Sequence, residues 1–151
     1  MKEAVRPILL VEDNQDDVFI MQRALRVGKI TNPLQVVMDG REAISYLSGQ
    51  DKYADRAQYP LPFIFFLDLK LPYVSGFDVL SWIRQQAALE DVVVVVLTSS
   101  GERRDQDQAY ALGARSYLVK PPNAEGLSGI FESLQSHWLS KSNVTPVASI
   151  S

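Results

Sequence analysis

The chain has 151 residues, 46% of them hydrophobic and 22% charged, a balance that fits one soluble globular domain around a single core. Its 15 Lys and Arg against 18 Asp and Glu give a net charge of −3, so no basic excess points to nucleic acid. The absence of cysteine excludes disulfides, thiolate metal sites and cysteine nucleophiles. No apolar run is long enough to span a bilayer and no signal-peptide pattern opens the chain, so a cytoplasmic protein without membrane association is expected.

In chain order, "PILLV" (Pro7 to Val11) predicts a first strand. Gln15 to Gly28 predicts a helix whose apolar stripe is Ile20, Met21, Ala24 and Leu25, with Gly28 as its C-cap. On that wheel Phe19 points away from the stripe, among Gln22, Arg23 and Arg26, which is either an ordinary exposed apolar residue or a contact site for a partner. Leu34 to Asp39 predicts the second strand and Gly40 to Gly49 the second helix, with Ala43, Ile44 and Leu47 on one face. Residues Gln50 to Pro62 read as a long polar loop.

Phe63 to Leu67 is apolar on both alternate faces, as in a strand covered on both sides, and it runs directly onto Asp68. A loop with Pro72 and Gly76 leads to a helix at Phe77 to Ala87. The valine run Val92 to Leu97 predicts a fourth buried strand. Glu102 to Leu112 is a weakly amphipathic helix, "SYLV" (Ser116 to Val119) a fifth strand, and Asn123 to Leu139 a last helix. Ser140 to Ser151 is polar and aperiodic and reads as a disordered tail, so residues 1–139 are assigned to one domain with no output domain after it.

Five strands alternating with five helices predict an α/β fold, a flavodoxin-like doubly wound (βα)5 architecture with a parallel five-stranded sheet in the order 2-1-3-4-5. In such a sheet the residues after the strands share one rim. Here they are Glu12 and Asp13, then Asp68, then Thr98 and Ser99, then Lys120. One polar residue at a strand end is an ordinary turn cap; a matched set on neighbouring strands points to chemistry. Clustered carboxylates repel unless a proton or a cation intervenes, and an all-oxygen set suits Mg²⁺. Lys120 and the Thr98 hydroxyl would face phosphoryl oxygens, which makes Asp68 a nucleophile and phosphoryl acceptor. Neutralising Asp13 would relieve crowding and stabilise the metal-free fold.

The segments "LLVEDN", "FFLDLKLPYVSGFDVL", "VVVLTSS" and "GARSYLVKP", in this order, resemble response-regulator receiver domains such as the bacterial chemotaxis regulator. "VEDNQDD" and the long loop before the third strand are most similar to the small phytochrome-linked regulators. The resemblance implies a stand-alone two-component response regulator. It would accept a phosphoryl group from a sensor histidine kinase, a phytochrome being one such partner, onto Asp68 with Mg²⁺. It implies Mg²⁺ held by Asp13 directly, Glu12 through water, Asp68, and the backbone carbonyl of Lys70. Thr98 and Lys120 contact the phosphoryl group, Thr98 and Tyr117 form the switch, and the Lys120-Pro121 peptide bond is cis. Rather than a separate enzyme, such a protein is a signalling receiver that catalyses its own phosphorylation and slow dephosphorylation. Its output passes to a downstream protein or phosphotransfer partner, or to a homodimer formed through the fourth helix, Tyr117 and the last helix.

Two positions depart from the commonest pattern. Lys70 is bulky and cationic and would hinder attacking water or partly screen the phosphate, and Asp17 replaces an apolar helix residue. A helix-capping role is the favoured reading of Asp17, with negative charge beside the metal site as the other. Three rival functions remain. A haloacid-dehalogenase-like phosphohydrolase needs a second Asp where Lys70 stands. A flavodoxin-like cofactor site would be repelled by "VEDNQDD". A scaffold that is never phosphorylated would not need the acid, hydroxyl and lysine set. His137 reads as a solvated or partner-facing side chain, and Trp82 and Trp138 as packing residues.

Overall fold

The structure, a computed structural model, describes residues 6–142, with side chains described through residue 134. The strands are β1 (Ile8–Val11), β2 (Leu34–Val37), β3 (Ile64–Leu67), β4 (Val93–Thr98) and β5 (Ser116–Val119). The helices are α1 (Gln15–Val27), α2 (Gly40–Ser48), α3 (Gly76–Arg84), α4 (Arg103–Ala111) and α5 (Ala124–Ser142). All strand pairs are parallel, in the order β2-β1-β3-β4-β5, as the alternation of apolar runs and helical periods predicts.

Alternation along each strand splits the core into two layers. Leu9, Val11, Phe65, Leu67, Val94 and Val96 face one side, packed against Ala43, Tyr46 and Leu47 of α2, Val79, Leu80 and Ile83 of α3, and Ala109 of α4. Ile8, Leu10, Ile64, Phe66, Val95 and Leu97 face the other, against Met21, Ala24 and Leu25 of α1 and Leu127 and Leu134 of α5. This is why "ILLV" and "IFFL" have no polar face. Each large side chain so buried contributes about 1.5–3 kcal/mol of transfer free energy, opposed by ordering entropy.

Several expected boundaries shift. β2 stops at Val37, because Asp39 turns out of the sheet to cap α2, its carboxylate accepting from the Glu42 amide at 2.9 Å. β4 begins at Val93 and includes Thr98, so this residue ends the strand rather than following it. α3 starts one residue early and stops at Arg84, ahead of a short 3-10 turn at Ala87–Leu89. α5 continues to Ser142, beyond the expected end at Leu139. The proposed tail from residue 143 onward lies outside the described residues, as do the side chains of His137 and Trp138. Trp82 packs against the core as expected. Ile20, expected in the buried stripe of α1, is exposed; Val18 packs inward instead, and Phe19 is 59% exposed.

The segment from Gln50 to Pro62 is not a loose polar loop. It forms a 3-10 turn at Asp51–Ala54 that buries Tyr53, whose ring packs with those of Tyr46 and Tyr59 at centroid distances of 4.8 and 4.9 Å. The Arg56 guanidinium donates to the carbonyls of Tyr46 and Leu47 near the end of α2 and to that of Tyr59, tying the segment to the helix end. Tyr53 Oη donates to Glu42 at 2.6 Å, and Glu42 also accepts from the Met38 amide.

Candidate functional site

Register places the polar strand ends beside one another. Val11 of β1 pairs with Leu67 of β3, so Glu12 and Asp68 leave the sheet on adjacent strands at the same level. Thr98 of β4 pairs with Val119 of β5, and the Lys120 amide donates to the Thr98 carbonyl at 2.8 Å as β5 ends. The Lys120-Pro121 bond is cis, as expected.

Lys120 Nζ is the centre of the site. It donates to Glu12 Oε1 at 2.6 Å, to Asp68 Oδ2 at 2.9 Å and to Asp17 Oδ2 at 3.1 Å. An ammonium has three N–H donors, and these contacts account for all of them. Glu12 is 4% exposed and the Lys120 side chain 14%, so two charges are held largely out of water by mutual pairing. Asp68 Oδ1 is fixed separately, accepting from the Lys70 amide at 3.0 Å.

Burial pushes the Glu12 carboxyl above its ordinary value, and the hydrogen bond to Lys120 opposes that rise without cancelling it. At Lys120 the balance goes the other way. Burial works against the ammonium, but hydrogen bonds to Glu12 and Asp68 outweigh it and its pKa rises. Lys120 is therefore charged throughout the physiological range, while the Glu12 carboxyl takes up a proton more readily than an ordinary glutamate.

Asp17 does not cap α1. That role belongs to Asn14, whose side chain accepts from the Asp17 amide at 3.0 Å. The Asp17 side chain, 36% exposed, is turned to Lys120. The Asn14 amide is in turn bonded to Glu12 Oε2 at 3.3 Å, so it does not need the reciprocal capping contact that a carboxylate at Asp17 could give.

Thr98 is fully buried, and its Oγ1 has no hydrogen-bond partner among the described residues. A buried hydroxyl in that condition costs about 1–3 kcal/mol, which makes it a donor ready for a ligand oxygen. Two residues past the end of β4, Ser100 links two elements: its Oγ donates to Asp105 of α4 at 2.6 Å, and its carbonyl accepts from Tyr117 Oη at 2.7 Å. Burial raises the Tyr117 pKa, so the phenol remains a donor at neutral pH. Sequence reading missed Ser100; the clue was a third small hydroxyl residue in "LTSSGE". It also gave Gly76 only a loop role. Gly76 opens α3 against the backbone of the acceptor segment, where a Cβ would be driven into the Asp68 carbonyl oxygen and lie 2.6 Å from the Leu69 Cα.

The structure thus joins Glu12, Asp68 and Lys120 and sets Thr98 on the neighbouring strand. Asp13 and the Lys70 side chain are exposed. Among the described residues no three acidic side chains form a ready-made metal cluster. The carboxylates of Glu12, Asp68 and Asp17 share an ammonium instead. Their oxygens and the Lys70 carbonyl are hard donors, the class that suits a small divalent cation, and Glu12 and Asp68 already face a common positive charge.

A sequence profile for the response regulator receiver domain matches residues 8–132. Response regulator Rcp1 of Synechocystis sp. is 36% identical over 132 residues, covering 87% of this chain and 88% of its own. The Mn²⁺-bound form of Rcp1 superposes with a TM-score of 0.70 at 33% identity, over 95% of this chain and 99% of that one. The probable methanogenesis regulatory protein FilR2 of Methanothrix harundinacea is also 36% identical over 132 residues, 87% of this chain and 83% of its own. The structure of the phosphorylated cyanobacterial phytochrome response regulator RcpA superposes with a TM-score of 0.73 at 33% identity, over 97% of this chain and all of that one. The strand order, the acid–lysine rim and these likenesses agree, and the chain belongs to the response regulator receiver domain family.

Proposed function

We propose that this response regulator accepts a phosphoryl group on Asp68 from a phosphohistidine of a sensor histidine kinase. The observation that carries the reading is the Lys120 ammonium, just past the end of β5, held against Asp68 at 2.9 Å beside a strand whose buried Thr98 hydroxyl has no partner among the described residues. An Asp68 carboxylate oxygen attacks phosphorus, the P–N bond breaks, and its electron pair returns to the imidazole, which takes a proton from solvent. Lys120 and the Thr98 hydroxyl then donate to phosphoryl oxygens. Glu12, Asp13, Asp68 and the Lys70 carbonyl are the residues that would hold Mg²⁺, which when bound supplies charge neutralisation between acceptor and phosphoryl oxygens. Drawing Thr98 toward the phosphoryl group frees space beneath Tyr117, whose hydroxyl leaves the Ser100 carbonyl as the ring turns inward.

Mass spectrometry after incubation with acetyl phosphate and Mg²⁺ tests this. One added phosphate on Asp68, absent in Asp68→Asn and without metal, is expected. Unlabelled wild-type protein would support the reading as a scaffold that is never phosphorylated. Full labelling of Asp68→Asn would move the acceptor elsewhere.

Likeness to RcpA over nearly the whole chain supports a phytochrome as the kinase, although FilR2 matches Rcp1 in identity. Phosphotransfer profiling against phytochrome and other kinases separates the two. Tyr110 of α4 and Val119 of β5 are exposed, and α4 also carries the exposed Arg103–Asp107 pair, which supports self-association through that surface. Sedimentation should then reveal a salt-sensitive dimer that charge reversal at Arg103 and Arg104 weakens. No described helix is long and apolar enough to cross a membrane, in keeping with a cytoplasmic location.

A further inference from the structure

We infer that Asp17 is a positioning residue that competes with an acceptor-bound phosphoryl group for Lys120, and so limits how firmly the site retains that group. The inference rests on the reading of Asp68 as acceptor. Lys120 Nζ has three N–H donors, and all are committed: to Glu12, Asp68 and Asp17. A phosphoryl oxygen engages this ammonium only by taking a donor from one of the three carboxylates. Modification of Asp68 releases the donor now aimed at its carboxylate. Glu12 is buried and adjoins the residue expected to bind the cation.

Asp17 stands outside both changes. It belongs to α1, where its backbone amide is pinned by the Asn14 cap, and its side chain reaches the rim from the helix rather than from the sheet. Neither change removes its carboxylate from Lys120, so it retains a share of the ammonium's charge that would otherwise face the phosphoryl oxygens. Asp16, one residue earlier in the same turn, has the same formal charge and is exposed. If the effect runs through Lys120, only Asp17 exerts it; if it is diffuse negative charge, both do.

The probe is beryllofluoride, which stands in for a phosphoryl group on a carboxylate, titrated calorimetrically into the full chain at saturating Mg²⁺. Wild-type protein is expected to bind it with one-to-one stoichiometry. Asp17→Asn is expected to bind about three- to five-fold more tightly, the scale of a partly exposed ion pair. Asp17→Glu, which keeps the charge, and Asp16→Asn should both stay within about two-fold of wild type on the same scale. Unchanged or weaker beryllofluoride binding by Asp17→Asn, or equal tightening by Asp16→Asn, overturns the inference while leaving the acceptor reading intact. Failure of the wild-type protein to bind would overturn the acceptor reading, and this inference with it.

Discussion

Thr98→Val separates what the site costs from what it does. The substitution keeps the β-branched shape that suits the end of β4 and exchanges the hydroxyl for a methyl group of similar size. Ordinarily this exchange loses a hydrogen bond. Here Oγ1 is fully buried and has no partner among the described residues, so folding already bears the desolvation of that oxygen. Leaving a polar group in this condition costs about 1–3 kcal/mol, and the added methyl fills the same space with apolar surface. Even the lower bound, about 1 kcal/mol, corresponds to a rise of about 2–4 °C in the melting temperature for a chain of this size. Chemical denaturation should give a higher midpoint at unchanged slope, since the surface exposed on unfolding is the same. The added stability should come with a loss: the variant lacks the donor for a phosphoryl oxygen, so beryllofluoride with Mg²⁺ should stabilise it less than wild type. A less stable metal-free variant would refute the claim that this hydroxyl is unsatisfied. Undiminished stabilisation by beryllofluoride would remove Thr98 from the phosphoryl site.

Three further outcomes are expected. Lys120→Met leaves Glu12 buried without its counter-charge and should lose about 3 kcal/mol of stability at pH 7. Because burial raises the Glu12 pKa, the folded state favours its protonated form, so the loss should shrink as pH falls to about 5; denaturation giving equal losses at both pH values would exclude Glu12 as the cause. Asp13→Asn should weaken Mg²⁺ binding in a calorimetric titration yet leave the metal-free melting temperature unchanged within about 2 °C, because Asp13 is exposed and the crowded carboxylates already share Lys120. Phe19→Ala should slow phosphotransfer from the kinase but not labelling by acetyl phosphate, since this ring is exposed on α1; equal slowing of both reactions would place the defect in the site itself.

The sheet was legible because burial on both faces leaves no polar position in "ILLV", "IFFL" or "VVVVL", and parallel pairing in register then sends Glu12, Asp68 and Lys120 to one rim. What sequence could not give was side-chain partnership decided at long range. The stretch from Gln50 to Pro62 looks polar because its ordering uses phenol hydroxyls and a guanidinium. Arg56 spends its donors on backbone carbonyls of α2, and no periodicity reports such a contact. Ile20 was misjudged for a related reason: at the first turns of α1 the inward direction is set by Val18 and Met21, and a wheel drawn from composition alone admits either neighbour.

Asp17 holds the most instructive difference. At the third position of a helix after Asn14, a carboxylate is well placed to complete a capping box, and dipole arguments support the same role. Both considerations are local. The outcome is decided by two contacts that local reasoning omits: the Asn14 amide is already taken by Glu12, and Lys120, 103 residues away, brings an ammonium to the same spot. The helix dipole and the ion pair then act together, since the charge that favours the first turn of α1 is the same charge that engages Lys120. A residue that reads as a cap is thus a partner of the Lys120 ammonium, and removing it should alter the hold on a phosphoryl group more than it alters the helix.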